Sequence, residues 1–251
     1  MRLLNNLATA LALVIATLVG GQAFADEVNV AVAANFTDAA KEIGQAFKAK
    51  TGHDAVFSFG ASGALYTQIS QGAPFQVFLS ADASRPKKAV EEGFGVAGSN
   101  FTYAIGELVL WSKKPGLATG EDALKNAAVN KVAICDPKAA PYGQAAVETM
   151  QSLKLYDTLQ PKIVQGANIT QAFQFVDTGN AEIGFVALSQ VINKSEGSRW
   201  MVPQNLYKPI KQDAVLLKKG ADSDAAKQFV EFLKSPGATA IIKKYGYVVG
   251  S

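Results

Sequence analysis

With 24 basic and 21 acidic side chains among 251 residues, and neither a basic run nor basic–aromatic interleaving, this chain lacks the signature of a nucleic-acid partner. Its single cysteine cannot make an intramolecular disulfide, and one cysteine with one histidine excludes most zinc and copper sites built on those ligands. Hydrophobic residues make up 49% of the chain, enough for one large core or two modest ones.

Residues 1–25 read as an export leader. Arg2 supplies a positive end and Leu7 to Val19 an uncharged apolar stretch. Ala23-Phe24-Ala25 places small residues at −3 and −1 of a cleavage point before Asp26. The apolar stretch falls short of the roughly 20 residues that span a bilayer, and nothing later is long and apolar enough to do so. Cys135 lies far downstream, so no lipid-acceptor cysteine follows the stretch, and the mature chain is expected to be free and soluble.

Short β-rich runs then alternate with helical patterns. Val28 to Ala33 reads as a strand, and Thr37 to Lys50 as a helix with Ala40, Ile43 and Phe47 on one face and Gly52 as its stop. Ala55 to Phe59 (strand), Gly63 to Gln71 (helix), Phe75 to Leu79 (strand) and Ala83 to Glu92 (helix) continue the series, the signature of βαβ units and a mostly parallel sheet. One long extended segment, Tyr103 to Trp111, opens a second series. It runs through strand Lys131 to Ile134, helix Gln144 to Leu153, strand Ile163-Val164, helix Thr170 to Thr178 and strand Ile183 to Val186. A second extended segment, Ile210 to Leu217, leads to two closing helices, Ser223 to Lys234 and Gly237 to Lys244, separated by Pro236. Two long strands bracketing a middle α/β series predict two lobes joined by two crossings: residues 26–104 with 213–251, and residues 105–212. His53, at a helix-to-strand turn, reads as a solvated loop histidine, and Cys135, ending the apolar run Val132-Ala133-Ile134, as a buried strand residue.

Four βα junctions carry small, uncharged residues: Ala33-Ala34-Asn35-Phe36-Thr37, Phe59-Gly60-Ala61-Ser62-Gly63, Ala140-Pro141-Tyr142-Gly143 and Ala167-Asn168-Ile169-Thr170. Helix N-termini present unpaired N–H groups and the positive end of the macrodipole, and ligands of open α/β sheets collect at the strands' carboxyl ends. Asn35, Ser62 and Asn168 equally suit ordinary N-caps, and pattern alone leaves both readings open. Catalysis has little support. Gly60-Ala61-Ser62-Gly63-Ala64 lacks the last glycine of a nucleophile elbow, and no histidine follows His53 to act as its base. No phosphate-binding glycine motif is present either.

Ala33-Ala34-Asn35-Phe36-Thr37-Asp38-Ala39, Phe57-Ser58-Phe59-Gly60-Ala61-Ser62-Gly63 and Ala73-Pro74-Phe75-Gln76-Val77-Phe78-Leu79-Ser80-Ala81-Asp82 resemble the periplasmic molybdate-binding proteins of ABC importers. So do Asp136-Pro137, Pro141-Tyr142-Gly143 and the ending Phe232-Leu233 … Lys244-Tyr245-Gly246-Tyr247. The resemblance spans about Glu27 to Val249. It implies an α/β, two-lobed periplasmic binding protein-like II fold, each lobe a mostly parallel sheet flanked by helices, with two crossing strands as hinge. It also implies a periplasmic, monomeric capture protein that is no enzyme, carries no cofactor and coordinates no metal cation directly. Molybdate, and tungstate with it, would be held by neutral donors. By position the contacts fall on Asn35, Ser62, Tyr142 and Ile169, the last two through backbone N–H. Its partners would be the oxyanion and a membrane permease with its ATPase. Many members place a tyrosine hydroxyl where this chain has Ala187, and often a serine where it has Asn35, whose amide can still donate. The rival readings are the same fold with another oxyanion such as sulfate, and a secreted serine hydrolase using Ser62.

Overall fold

The computed structural model describes residues 26–250, so the leader read over residues 1–25 lies outside the described residues. β1 (Glu27–Ala33) passes through a 3-10 turn, Ala34–Phe36, into α1 (Thr37–Thr51). Gly52 ends that helix in the left-handed conformation, φ 81°, with its N–H on the Lys48 carbonyl. β2 (Asp54–Gly60), α2 (Ser62–Ser70), β3 (Val77–Leu79) and α3 (Ser84–Glu91) follow. The single extended segment expected next is two strands, β4 (Phe101–Gly106) and β5 (Leu108–Ser112), broken at Glu107 because each joins a different sheet.

The chain continues through β6 (Val132–Cys135), α4 (Pro141–Ser152), α5 (Tyr156–Leu159), β7 (Ile163–Gly166) and α6 (Ile169–Asp177). β8 (Ile183–Ala187), α7 (Leu188–Val191), β9 (Ser198–Met201), β10 (Ile210–Leu216), α8 (Asp224–Leu233) and α9 (Pro236–Lys244) complete it. α4 starts at Pro141, three residues before the sequence reading, because proline suits the first helical position, where its missing N–H costs nothing. β9 has no sequence counterpart; its four residues are half-buried or exposed and carry no apolar alternation.

Two five-stranded sheets result, ordered β2-β1-β3-β10-β4 and β7-β6-β8-β5-β9. β1 runs parallel to β2 and β3, and β6 parallel to β7 and β8. β10 is antiparallel to β3 and β4, and β5 antiparallel to β8 and β9. Each sheet is therefore mixed rather than mostly parallel: β5 and β10 arrive by crossing from the other sheet and enter against the βαβ strands.

Each lobe has its own core. Ala40, Ile43 and Phe47, spaced to share one face of α1, are fully buried against β1 and α8. Phe47 meets Phe229 edge-on at 5.2 Å, and each such ring contributes about 1.5–3 kcal/mol by leaving water. In the second lobe Leu108, Leu110, Ile134, Met150 and Phe185 fill the equivalent place. Cys135 is buried at the end of β6, and burial pushes its thiol up to about 12, so it stays protonated and inert. His53 is not solvated as expected: the start of the β1–β2 pairing brings Asp26 onto it, and Nδ1 accepts the Asp26 N–H at 3.1 Å beside the Phe47 ring. Among the described residues no helix is long and apolar enough to cross a membrane.

Candidate functional site

The carboxyl ends of both sheets meet at one small cavity. Ala33, Ala34 and Asn35 at the end of β1, Gly60, Ala61 and Ser62 at the end of β2, and Ala81 after β3 form one side. Ala140, Pro141 and Tyr142 at the start of α4, with Ile169 at the start of α6, form the other. All four residues singled out from sequence therefore line the same space. It measures about 10 Å³, counted as the volume a water's centre can occupy, roughly the room of a single water, which excludes an extended ligand. Asn35, Ser62, Tyr142 and Ile169 are at most 4% exposed, so little of the lining faces bulk solvent.

None of the lining residues is charged. The donors come instead from chain geometry. Ser62, Tyr142 and Ile169 lie in the first turns of α2, α4 and α6, whose N–H groups have no carbonyl one turn earlier to bond. The aligned peptide dipoles of those helices add a positive potential at the same point. Ser62 Oγ accepts the Ala81 N–H at 2.9 Å, which fixes the hydroxyl and leaves its hydrogen for an acceptor in the cavity. Ser62 is therefore not a cap. Asn168 is one: its side chain accepts the Gln171 N–H at 3.0 Å, and with Thr170 it faces a neighbouring crevice outside the cavity.

Asn35 behaves differently from the sequence expectation that its amide donates to a ligand. Both amide hydrogens are committed, to Gln212 Oε1 at 2.9 Å and to the Tyr247 hydroxyl at 3.0 Å. Its carbonyl accepts from Ser189 Oγ and Tyr247, at 2.8 and 2.7 Å. What Asn35 offers the cavity is its backbone. Ala187 does not line the cavity; its N–H donates to Gln190 Oε1 at 3.0 Å, while Gln190 Nε2 donates to the Ile169 carbonyl at 3.2 Å. Gln190 thus fixes the first turn of α6, a role with no local signal in the sequence. Gln212 and Asp213 did carry one: the polar run Lys211-Gln212-Asp213 inside a strand whose other residues are apolar is itself a reason to look for partners.

Across the cavity mouth the two lobes touch directly. The Gly63 N–H donates to the Ala139 carbonyl at 2.9 Å, and Arg85 Nη2 to the Lys138 carbonyl at 3.1 Å. Asp82 holds that guanidinium at 2.5 Å through Nη1. A Cβ on Gly63 would sit 3.1 Å from the Ala139 oxygen, so closure at this point favours the bare backbone.

Burial holds the hydroxyls of Tyr103, Tyr142 and Tyr247 well above the usual phenol range. In the unfolded chain they ionise near pH 10, so the folded state keeps protons that the unfolded state gives up. The stability this contributes is complete below about pH 10 and is lost as pH rises through the raised folded values. Thermal melts between pH 7 and 11 are expected to show a melting temperature that falls steeply above about pH 10; a flat profile would contradict the burial of these hydroxyls.

Residues 28–248 match the family described as bacterial extracellular solute-binding protein. The molybdate-binding protein ModA of Rhodobacter capsulatus is 62% identical over 241 residues, spanning 96% of this chain and 95% of that protein. Its counterpart from Azotobacter vinelandii is 53% identical over 236 residues, spanning 92% and 94%. A solved structure, the periplasmic molybdate-binding protein of Azotobacter vinelandii, superposes with a TM-score of 0.87 at 43% identity, over 89% of this chain and 100% of that one.

Proposed function

This chain belongs to the bacterial extracellular solute-binding proteins, and on that premise we propose that it captures molybdate outside the cytoplasmic membrane for an ABC importer. The single observation that carries the reading is a closed, uncharged cage at the N-termini of three helices, with the oriented Ser62 hydroxyl among its donors. We assign ligand contacts to the backbone N–H groups of Asn35, Tyr142 and Ile169, and to Ser62 through its hydroxyl. Tungstate, of the same shape and charge, is assigned to the same cage.

A site built of donors alone sorts oxyanions by protonation and size. A ligand that keeps a proton sets its own donor against a protein donor, which disfavours phosphate near neutral pH. Molybdate and tungstate have longer element–oxygen bonds than sulfate, so a cage closed to fit them leaves sulfate with stretched hydrogen bonds. Charge-assisted bonds of roughly 1.5–3 kcal/mol each, less ordering costs, give a micromolar to nanomolar site without any counter-ion. Catalysis is not part of the reading: no cavity-lining residue supplies a base for Ser62. The export leader over residues 1–25, a periplasmic location and a monomeric state complete it, with a membrane permease as partner. Because β4 and β10 pair within the first sheet up to Gly106 and from Ile210, we place the lobe boundaries near Glu107 and Pro209, a few residues from the 104/105 and 212/213 read in the sequence.

Isothermal titration calorimetry of residues 26–251 with molybdate and then sulfate tests the reading. One sub-micromolar molybdate site with far weaker sulfate is the expected result, whereas tight sulfate binding, or no binding of either, overturns it. The mouth contacts make a kinetic prediction. Arg85→Ala removes one inter-lobe hydrogen bond of about 1 kcal/mol, so stopped-flow dissociation of molybdate is expected to quicken about fivefold, with the association rate nearly unchanged.

A further inference from the structure

We propose that Gln212, which does not line the cavity, is the positioning residue that ties the two halves of the anion cage together through its hydrogen bonds to Asn35 and Tyr142. This rests on the molybdate reading above. Gln212 is fully buried on β10, the strand by which the chain crosses back into the first lobe. The β4–β10 register shifts between Gln212 and Asp213, an irregularity of the kind that re-aims a side chain out of the ladder pattern. Three side chains converge on its amide. Oε1 accepts from Asn35 Nδ2 at 2.9 Å and from the Tyr103 hydroxyl at 3.1 Å, while Nε2 donates to the Tyr142 hydroxyl at 3.2 Å.

Asn35 and Tyr142 each carry a backbone segment of the cage, from opposite lobes, and each spends its side chain on Gln212 rather than on the ligand. The hinge side chain thus registers both halves at once. When the lobes part, Tyr142 leaves with the second lobe while Asn35 stays with the first, so the Gln212–Tyr142 bond belongs to the closed form. Gly106 makes room for it: a Cβ there would lie 2.1 Å from the Tyr142 hydroxyl and 2.6 Å from Gln212 Nε2. The bond therefore adds to the lifetime of the closed complex and leaves the encounter with the open form untouched.

The test is a double-mutant cycle with Tyr142→Phe, which deletes only the hydroxyl, and Gln212→Met, which keeps the side-chain length. Thermal melts confirm that each variant is folded at the assay temperature, and Tyr142→Phe serves alone if Gln212→Met is not. Molybdate association and dissociation rates are then measured by stopped flow or surface plasmon resonance. Each single variant is expected to dissociate about five- to tenfold faster with association within about twofold of the wild type, and the double variant no faster than the worse single one. A merely structural role lowers the melting temperature without this split between the two rates. Unchanged dissociation, or losses that multiply in the double variant, overturn the proposal. A wild type that fails to bind molybdate overturns the functional reading itself, so the two failures are told apart before any variant is made.

Discussion

Ser62→Ala is expected to weaken molybdate binding by about 1.5–3 kcal/mol, roughly 12- to 140-fold, while leaving the fold intact. The hydroxyl is held by the Ala81 N–H on its oxygen, so its hydrogen has one useful direction, into the cavity. Alanine removes that charge-assisted donor from a space shut off from bulk water, where no solvent molecule competes to replace it. It also leaves the Ala81 N–H without its acceptor, at a cost of about 1–3 kcal/mol, and a melting temperature lowered by a few degrees. The α2 N-terminus keeps its geometry, because the Ser62 side chain does not cap it. Calorimetry and a thermal melt on the same preparation separate the two effects. Affinity within twofold of the wild type would remove Ser62 from the cage.

Gly143→Ala is expected to lose both stability and binding. A Cβ at Gly143 would fall 2.2 Å from the Cys135 carbonyl oxygen and 2.9 Å from the Asp136 carbonyl carbon, and neither is the yielding end of a side chain. The first turn of α4 must then lift off the end of β6, carrying the Tyr142 N–H with it. Overpacking of this kind costs about 1–3 kcal/mol, and more where backbone meets backbone, lowering the melting temperature by about 2–4 °C for each kcal/mol. A displacement of one ångström at a donor group is enough to forfeit most of a hydrogen bond, so molybdate affinity is expected to fall at least tenfold. Wild-type affinity in a folded Gly143→Ala protein would mean that the α4 N-terminus is not part of the cage.

Much of this arrangement is legible along the chain, and the reason is local. Strand, small polar junction and helix succeed one another within some ten residues, so periodicity and a stop such as Gly52 reveal them. The cavity lining falls at those junctions because parallel strands in one sheet bring their carboxyl ends to one edge. What periodicity could not give is the direction in which a side chain points. The Asn35 amide is settled by Gln212, 177 residues on, and by Tyr247, 212 residues on. Gln190 acts on Ile169 from 21 residues away, with no motif to announce it. The break at Glu107 was hidden because apolar residues flank it on both sides, and only membership in two sheets separates β4 from β5. His53 was misplaced for a similar reason: Asp26, whose N–H it accepts, reaches it through strand pairing, and Phe47 and Gln228 lie beside its ring.

A cage drawn largely from the main chain also has a bearing on inheritance. An N–H belongs to every amino acid but proline, so exchanging the side chain of Ile169 or Tyr142 does not by itself delete the group that faces the ligand. Most codon changes at those positions are silent as far as that one donor is concerned. Drift in which anion is taken up has to begin elsewhere, at sites that tilt a helix end or shift a strand: Gly143 in the first turn of α4, Gln190 against the start of α6, Gln212 at the crossing. In a lineage of such proteins, the record of changing diet would be written in residues that never touch the meal.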